Sequence, residues 1–400
     1  MLRQFWGRFW MRPRAHGEVR HERRVSYVEL FYDLVFVVVV ARAAHALALH
    51  VTWDGVAVFA IVFAMVWILW LNGTLYYELH GREDGRTRTF VFIEMILLAI
   101  LAVFTEGANG EYGREFAIVY ALLLGVTTLF WWRVQRYDDP KYLAQARSYV
   151  ALMIFGLVMV GGSIIAPDAW RLWLWAAFAV IWLAAVLATL TRRRRADLIV
   201  TVPTESMVER FDLFTILVLG EVVAGVVIGL SGSESIATGM AAAVFGMVLA
   251  FSFWWLYFDF VGRRIPVKDP RTFGAWLGWH LPLAAGIAAA GAAVVSLVEY
   301  AGESRTPTPT AWLLAGAMSL YLVSLVGVSG ALAHGLADRK GFHVVSGTLI
   351  VAAIAVLAVA AFRPVAWLFA LLLVIIASIG WVIGAVRSVA HGTDPSPDGP

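Results

Sequence analysis

The chain contains no cysteine, which excludes disulfides, thiolate metal sites and cysteine nucleophiles. Charge is scarce too: Asp, Glu, Lys and Arg make up 15% of 400 residues, and the net charge is +3. So small an excess gives no footing for nucleic-acid binding. Lysine occurs only at Lys141, Lys268 and Lys340. No polar stretch exceeds about 25 residues, which leaves no room for a nucleotide-binding or sensor domain and excludes an ATP-driven pump or a receptor kinase. The patterns H-E-x-x-H, G-x-x-x-x-G-K and G-x-S-x-G are missing, so zinc proteolysis, Walker-type phosphate binding and a hydrolase elbow have no support. No enzymatic activity, cofactor or metal is expected.

Apolar residues are what the chain has in abundance. With 61% hydrophobic residues and a mean hydropathy of +0.78, it reads as an all-α polytopic membrane protein. Segments of spanning length fall near 26–49, 55–79, 87–106, 115–133, 148–166, 170–191, 207–230, 236–260, 275–299, 311–334, 342–362 and 364–387, which predicts about twelve transmembrane helices. The basic residues test that count independently. Twenty-five of the 31 Lys and Arg lie before the first span, in every second connection after it or, for Arg387, at the end of the last span. The other connections carry Arg114, Arg171, Arg305 and Arg363, while Arg42 and Arg210 lie within spans. A missed helix would scramble this alternation, so both termini are expected in the cytoplasm.

Residues 1–24 read as a basic, aromatic arm on the anionic cytoplasmic surface, not as a secretory signal. Residues 392–400 read as a disordered tail. Tryptophans at 53, 131, 132, 170, 173, 254, 255, 276, 279, 312 and 367 fall near span ends, where amphipathic rings prefer the interface. Gly161 with Gly162, Gly225 with Gly229, and the run from Ala284 to Ala293 allow close helix approach.

The two halves of the chain echo one another. Leu75–Leu79 matches Leu256–Phe260 at an offset of 181, Asp33-Leu34 matches Asp212-Leu213 at 179, and Arg88-Thr89-Phe90 matches Arg271-Thr272-Phe273 at 183. Drifting offsets near 180 predict a six-plus-six parallel internal repeat, with halves at 25–196 and 197–391.

Ionisable residues inside spans are the candidate site, because they are costly in a bilayer and face a protein interior or one another. From helix rise, Asp33, Glu94, Asp212 and His280 lie roughly 8–10 Å from the cytoplasmic ends, and Arg42 and Glu221 at about 20–24 Å. Glu78 and Asp259 close spans two and eight. Asp33, Glu78, Glu94, Asp212, Asp259 and His280 are expected around one cytoplasm-facing vestibule, and Arg42 and Glu221 as a cross-repeat ion pair. For several of these a plainer reading stays open. Glu78 and Asp259 suit solvated interface positions, and Glu29 and Glu209 suit first helical turns, where carboxylates are favoured. Arg210 is the second basic residue inside a span. His45 and His280 suit hydrogen-bonded packing, although Pro282 frees a backbone carbonyl one turn earlier. Carboxylates and a histidine at one depth suit proton or cation handling.

The run Val25-Ser26-Tyr27-Val28-Glu29-Leu30-Phe31-Tyr32-Asp33-Leu34-Val35-Phe36-Val37 resembles the opening signature of the bacterial low temperature requirement A family. Glu209-Arg210-Phe211-Asp212-Leu213-Phe214, continuing to Leu219-Gly220-Glu221, resembles its central motif. Trp255-Leu256-Tyr257-Phe258-Asp259 and His280-Leu281-Pro282-Leu283 resemble two later ones. The likeness runs from about residue 22 to about residue 390. Arg42 stands where the family pattern has glutamine, and Asp212 where it has glycine. The resemblance implies an inner-membrane protein linked by name to growth in the cold, and it implies no molecular activity. The residues themselves point to a secondary transporter or ion-permeation protein for an unspecified small solute or ion. The alternative is a lipid-interacting membrane enzyme or an assembly factor using the same acidic cluster. The bilayer is the one partner implied, and oligomeric state stays open.

Overall fold

A computed structural model describes residues 13–14, 25–82, 84–138, 140, 143–191, 203–233, 236–332 and 339–390. The expectations for the arm other than Pro13 and Arg14, for the basic run 192–195 and for the tail 392–400 fall outside those residues. Among the described residues twelve helices are long and apolar enough to cross a membrane, and their ends lie within a few residues of the expected spans. They are α1 Tyr27–Leu49, α2 Trp53–His80, α3 Gly85–Thr105, α4 Gly113–Val134, α5 Leu143–Ile165, α6 Asp168–Thr191, α7 Glu205–Gly232, α8 Ile236–Phe260, α9 Pro270–Glu299, α10 Thr308–Ser329, α11 Arg339–Phe362 and α12 Ala366–Ala390.

Local sequence sets several helix starts. Ser26 and Glu29 form a reciprocal capping box on α1: the Ser26 backbone N–H and hydroxyl donate to the Glu29 carboxylate, and the Glu29 N–H donates to the Ser26 hydroxyl. The α3 and α9 helices open on the same four-residue device. Asp84 accepts from the Thr87 N–H at 2.9 Å, and Asp269 from the Thr272 N–H at 3.0 Å; each Asp is followed two positions later by arginine and then by that threonine. In α9 the first helical residue is Pro270, which needs no N–H donor there. At 30 residues, α9 is about 45 Å long and exceeds the hydrocarbon thickness.

The chain divides into two compact units, residues 1–46 with 57–210 and residues 47–56 with 211–400. In the first, α3 packs on α4, α4 on α5 and α5 on α6. In the second, α9 packs on α10, α10 on α11 and α11 on α12, and α8 touches α9, α10 and α12. Three consecutive pairings recur in the two units, but these contacts alone do not display the expected repeat.

Lipid is as apolar as leucine, so close fit and hydrogen bonds hold such helices together more than burial does. In the second unit α7 and α9 cross backbone to backbone. A Cβ on Gly225 would stand 2.4 Å from the Gly291 carbonyl oxygen, and one on Gly229 would stand 2.5 Å from that of Val295. The tryptophans divide. Trp53, Trp170 and Trp173 are well exposed, as an interfacial role requires, but Trp131 and Trp276 are buried. For those two the interfacial expectation is corrected: both pack inside their own unit, Trp131 against Tyr76 and Tyr149 and Trp276 against Phe211 and His280.

Candidate functional site

In the first unit α1, α2, α3 and α7 bring their polar residues to one buried cluster. Asp33 is fully buried. Its Oδ1 accepts from the Trp70 Nε1 at 2.8 Å and from the Arg210 Nη2 at 2.8 Å, and its Oδ2 accepts from the Arg210 Nε at 3.1 Å. Arg210 lies over the rings of Tyr32 and Tyr77 at 5.7 and 6.0 Å from their centroids, within cation–π range. The Tyr77 hydroxyl donates to Glu94 at 3.2 Å, and the Thr127 hydroxyl reaches its other oxygen at 3.5 Å. The Tyr32 hydroxyl faces Glu94 as well. It is admitted by Gly73, where a Cβ would stand 2.7 Å from it. Glu94 itself is 2% exposed, and among the described residues its hydrogen-bond donors are all hydroxyls.

The remaining candidates of this unit are held apart from that cluster. Glu78 is half-buried and accepts from the hydroxyls of Thr204 and Ser206 at the start of α7. Glu29 caps α1, and the exposed Glu209, the fifth residue of α7 and not in its first turn, accepts from the Val25 N–H ahead of α1 at 3.2 Å. Arg42 pairs with Glu106, the residue after α3. Within this unit Glu106 is thus the carboxylate that Arg42 meets, as suits a long arginine side chain reaching toward its span end. His45 is half-buried and makes no polar contact among the described residues.

In the second unit Asp212 of α7, Tyr257 of α8 and His280 of α9 form a line. The Tyr257 oxygen lies 2.9 Å from the Asp212 Oδ1 and 3.2 Å from the His280 Nε2. The His280 Nδ1 lies 2.7 Å from the Trp276 carbonyl oxygen. The Asp212 Oδ2 accepts from the Arg263 backbone N–H at 2.8 Å. Arg263 presents that N–H from the left-handed region, at φ 62°, a conformation disfavoured for a residue with a Cβ. All three side chains are nearly inaccessible, at 6%, 0% and 1%. Glu221, one helical stretch further along α7, is half-buried, and its main chain sits under Gly291. Asp259 is exposed and accepts from the Trp381 Nε1 at 2.7 Å.

Sequence reading missed the tyrosines. Tyr77, not Tyr76, does in the first unit what Tyr257 does in the second. Each lies on the second helix of its half and donates or accepts at a polar side chain of the third, Glu94 or His280. The residues Tyr32 and Asp33 of α1 stand at the same offset, 179, from Phe211 and Asp212 of α7. Phe211 packs edge-on to His280 at 4.9 Å, as Tyr32 faces Glu94. A signal existed in the spacing, since Tyr77 and Tyr257 lie 180 apart, but two adjacent tyrosines at 76 and 77 left the match ambiguous. Sequence also missed Arg14, whose guanidinium donates to the Glu78 and Gly81 carbonyls at 2.7 Å and so caps the end of α2. Among the described residues no group of three His, Asp or Glu side chains is arranged to hold a metal ion.

Twelve apolar spans enclosing buried charged and hydroxyl networks define a polytopic integral membrane protein. The family described as bacterial low temperature requirement A protein (LtrA) matches residues 24–380, and the chain belongs to that family. It is also 27% identical over 303 residues to an uncharacterized protein of Rhizobium meliloti (strain 1021), covering 70% of this chain and 69% of that one. No solved structure matches.

Proposed function

We propose that this protein is a secondary transporter or ion-permeation protein of the bacterial inner membrane that handles protons or cations, and that it is not an enzyme. The observation that carries the reading is Glu94: a carboxyl group inside a span, 2% exposed, that meets hydroxyls and no cationic hydrogen-bond donor among the described residues. An ionised carboxylate in such a place is costly. Glu94 is therefore stable as a neutral acid or with a bound cation, and it can exchange one for the other. Asp33 has a different part in this reading, because Arg210 and Trp70 already occupy its oxygens; it anchors Arg210 beneath the tyrosines instead of carrying an ion.

Two further parts belong to the proposal. Both termini lie in the cytoplasm, which the alternation of basic connections supports. The contact of Arg14 with the end of α2 supports it too, since Arg14 lies beside the basic connection between α2 and α3. The two halves descend from a six-helix duplication with parallel orientation. The shared Asp-x-Arg-Thr caps of α3 and α9 and the tyrosine of the second helix in each half support that, at offsets of 185 and 180.

Purified protein in liposomes carrying a pH-sensitive dye tests the reading. Wild-type protein should dissipate or couple to an imposed pH or cation gradient, and Glu94→Gln should lose that flux while keeping its fold. Gradients that decay equally with wild-type protein, with Glu94→Gln and with empty liposomes would sink it.

A further inference from the structure

We infer that Asp212, Tyr257 and His280 together bind one exchangeable proton, shared between the carboxylate and the imidazole through the phenol hydroxyl. The inference comes from counting hydrogens. Three contacts run in a row: Trp276 carbonyl to Nδ1 at 2.7 Å, Nε2 to the Tyr257 oxygen at 3.2 Å, and that oxygen to the Asp212 Oδ1 at 2.9 Å. Each contact needs a hydrogen between its heavy atoms, because otherwise two lone pairs face one another in a site closed to water. A carbonyl oxygen supplies none, a neutral imidazole supplies one and the phenol supplies one. The third is an added proton.

That proton has two places to sit. On Asp212, the acid donates to the Tyr257 oxygen and Tyr257 donates to Nε2. On His280, the imidazolium donates from Nε2 to the Tyr257 oxygen and Tyr257 donates to an ionised Asp212. The two states interconvert when the Oδ1 proton passes to the phenol oxygen as the phenol proton passes to Nε2. No covalent bond other than O–H and N–H changes, and the cluster is neutral in both. Removing the proton leaves one buried negative charge.

The surroundings favour sharing over loss. Loss is opposed by burial, because it would leave a net charge in a site closed to water. The Arg263 N–H on Oδ2 makes the ionised carboxylate an accessible partner for the imidazolium, and the Trp276 carbonyl fixes the Nδ1 hydrogen, so that Nε2 is the atom that titrates. Among the described residues the groups around the line include Phe211 and Thr215 from α7, Trp276 from α9 and Tyr321 from α10. The Thr215 hydroxyl also hydrogen-bonds Tyr257 and brings its own hydrogen to that contact. Tyr321 donates its hydroxyl to the Phe253 carbonyl at 2.5 Å, and all four side chains are uncharged. This inference takes its biological meaning from the ion-handling reading above, but it is tested at equilibrium and without flux.

Full-length protein in detergent, labelled with 15N in its histidine rings, is to be followed by NMR from about pH 5 to about pH 8. Expected in the wild type is a His280 Nδ1 protonated throughout and an Nε2 signal displaced toward the protonated position. Asp212→Asn replaces the added proton with an amide N–H, so the His280 Nε2 should move fully to the unprotonated position and cease to titrate. In Tyr257→Phe the His280 spectrum should no longer depend on residue 212. Identical His280 spectra in the wild type and Asp212→Asn overturn the inference. If a variant does not fold, wild-type NMR and infrared spectra decide alone. A protonated carboxyl band or an imidazolium at His280 that shifts in heavy water supports the shared proton, and a neutral imidazole beside an ionised carboxylate at every pH overturns it. A shared proton in a protein that moves no ions would defeat the transport reading and leave this one standing.

Discussion

Asp33 and Arg210 are 177 positions apart in the chain, and their side chains meet at 2.8 Å with both groups buried. The guanidinium engages both carboxylate oxygens, and the Trp70 N–H takes a further lone pair. The pair ties the start of α7 to α1 and α2 of the same unit. Its geometry leaves neither partner free to accept a ligand without first breaking the other's bonds.

Breaking such a pair from one side strands the other charge. Asp33→Asn is expected to destabilise the protein by about 3–5 kcal/mol, and Arg210→Met by a similar amount. The double variant Asp33→Leu with Arg210→Met should recover most of that loss, because no charge is then left unpaired. Thermal unfolding in mixed micelles measures all three. A double variant no more stable than the worse single one would show that Arg210 is needed for more than pairing.

The exposed Asp269 offers a pH dependence outside the membrane. The backbone N–H of Thr272, with its hydroxyl, holds the Asp269 carboxyl below the usual carboxylate range. The folded value is lower than the unfolded one, so the cap's contribution is complete above the unfolded pKa and fades as pH falls through the folded one. Asp269→Ala should cost about 1 kcal/mol at neutral pH, and the cost should shrink below about pH 4. Unfolding midpoints of the two proteins across that range should converge on the acid side. A gap that stays constant with pH would mean that the cap does not depend on the ionised side chain.

The spans were legible because hydropathy and basic-residue alternation are properties of whole segments. The capping box at Ser26 and Glu29 was legible because it is local. Pairing inside the membrane was not. Helix rise gives the depth of Asp33 or Arg42 but not the direction in which its side chain faces, so the pairing of Arg42 with Glu106 is visible only in the structure. Tyr32, Tyr77 and Tyr257 carry the polar networks, yet aromatic residues make up 14% of the chain, and the offset of 180 between Tyr77 and Tyr257 is blurred by Tyr76 beside it. The position of Asp212 and His280 at one depth was readable; the tyrosine between them was visible only in the structure.

Orientation remains the most direct property to test, because a natural cysteine-free chain accepts single-cysteine probes without prior engineering. Gly81 lies in a basic connection but is a poor choice: a Cβ there would stand 2.5 Å from the Tyr77 carbonyl oxygen that closes α2. Arg136 and Glu111 are both exposed and lie in successive connections, after α4 and before it. With the termini cytoplasmic, an impermeant maleimide added to intact cells should label Glu111→Cys and spare Arg136→Cys, and inverted vesicles should reverse the pattern. Each variant controls for the other, since both probes would fall on the same side only if α4 did not cross the membrane, and a mis-counted helix before α4 would exchange them. Labelling of Arg136→Cys from outside intact cells would invert the protein in the membrane, and the mouth of any path to Glu94 would then open to the other compartment.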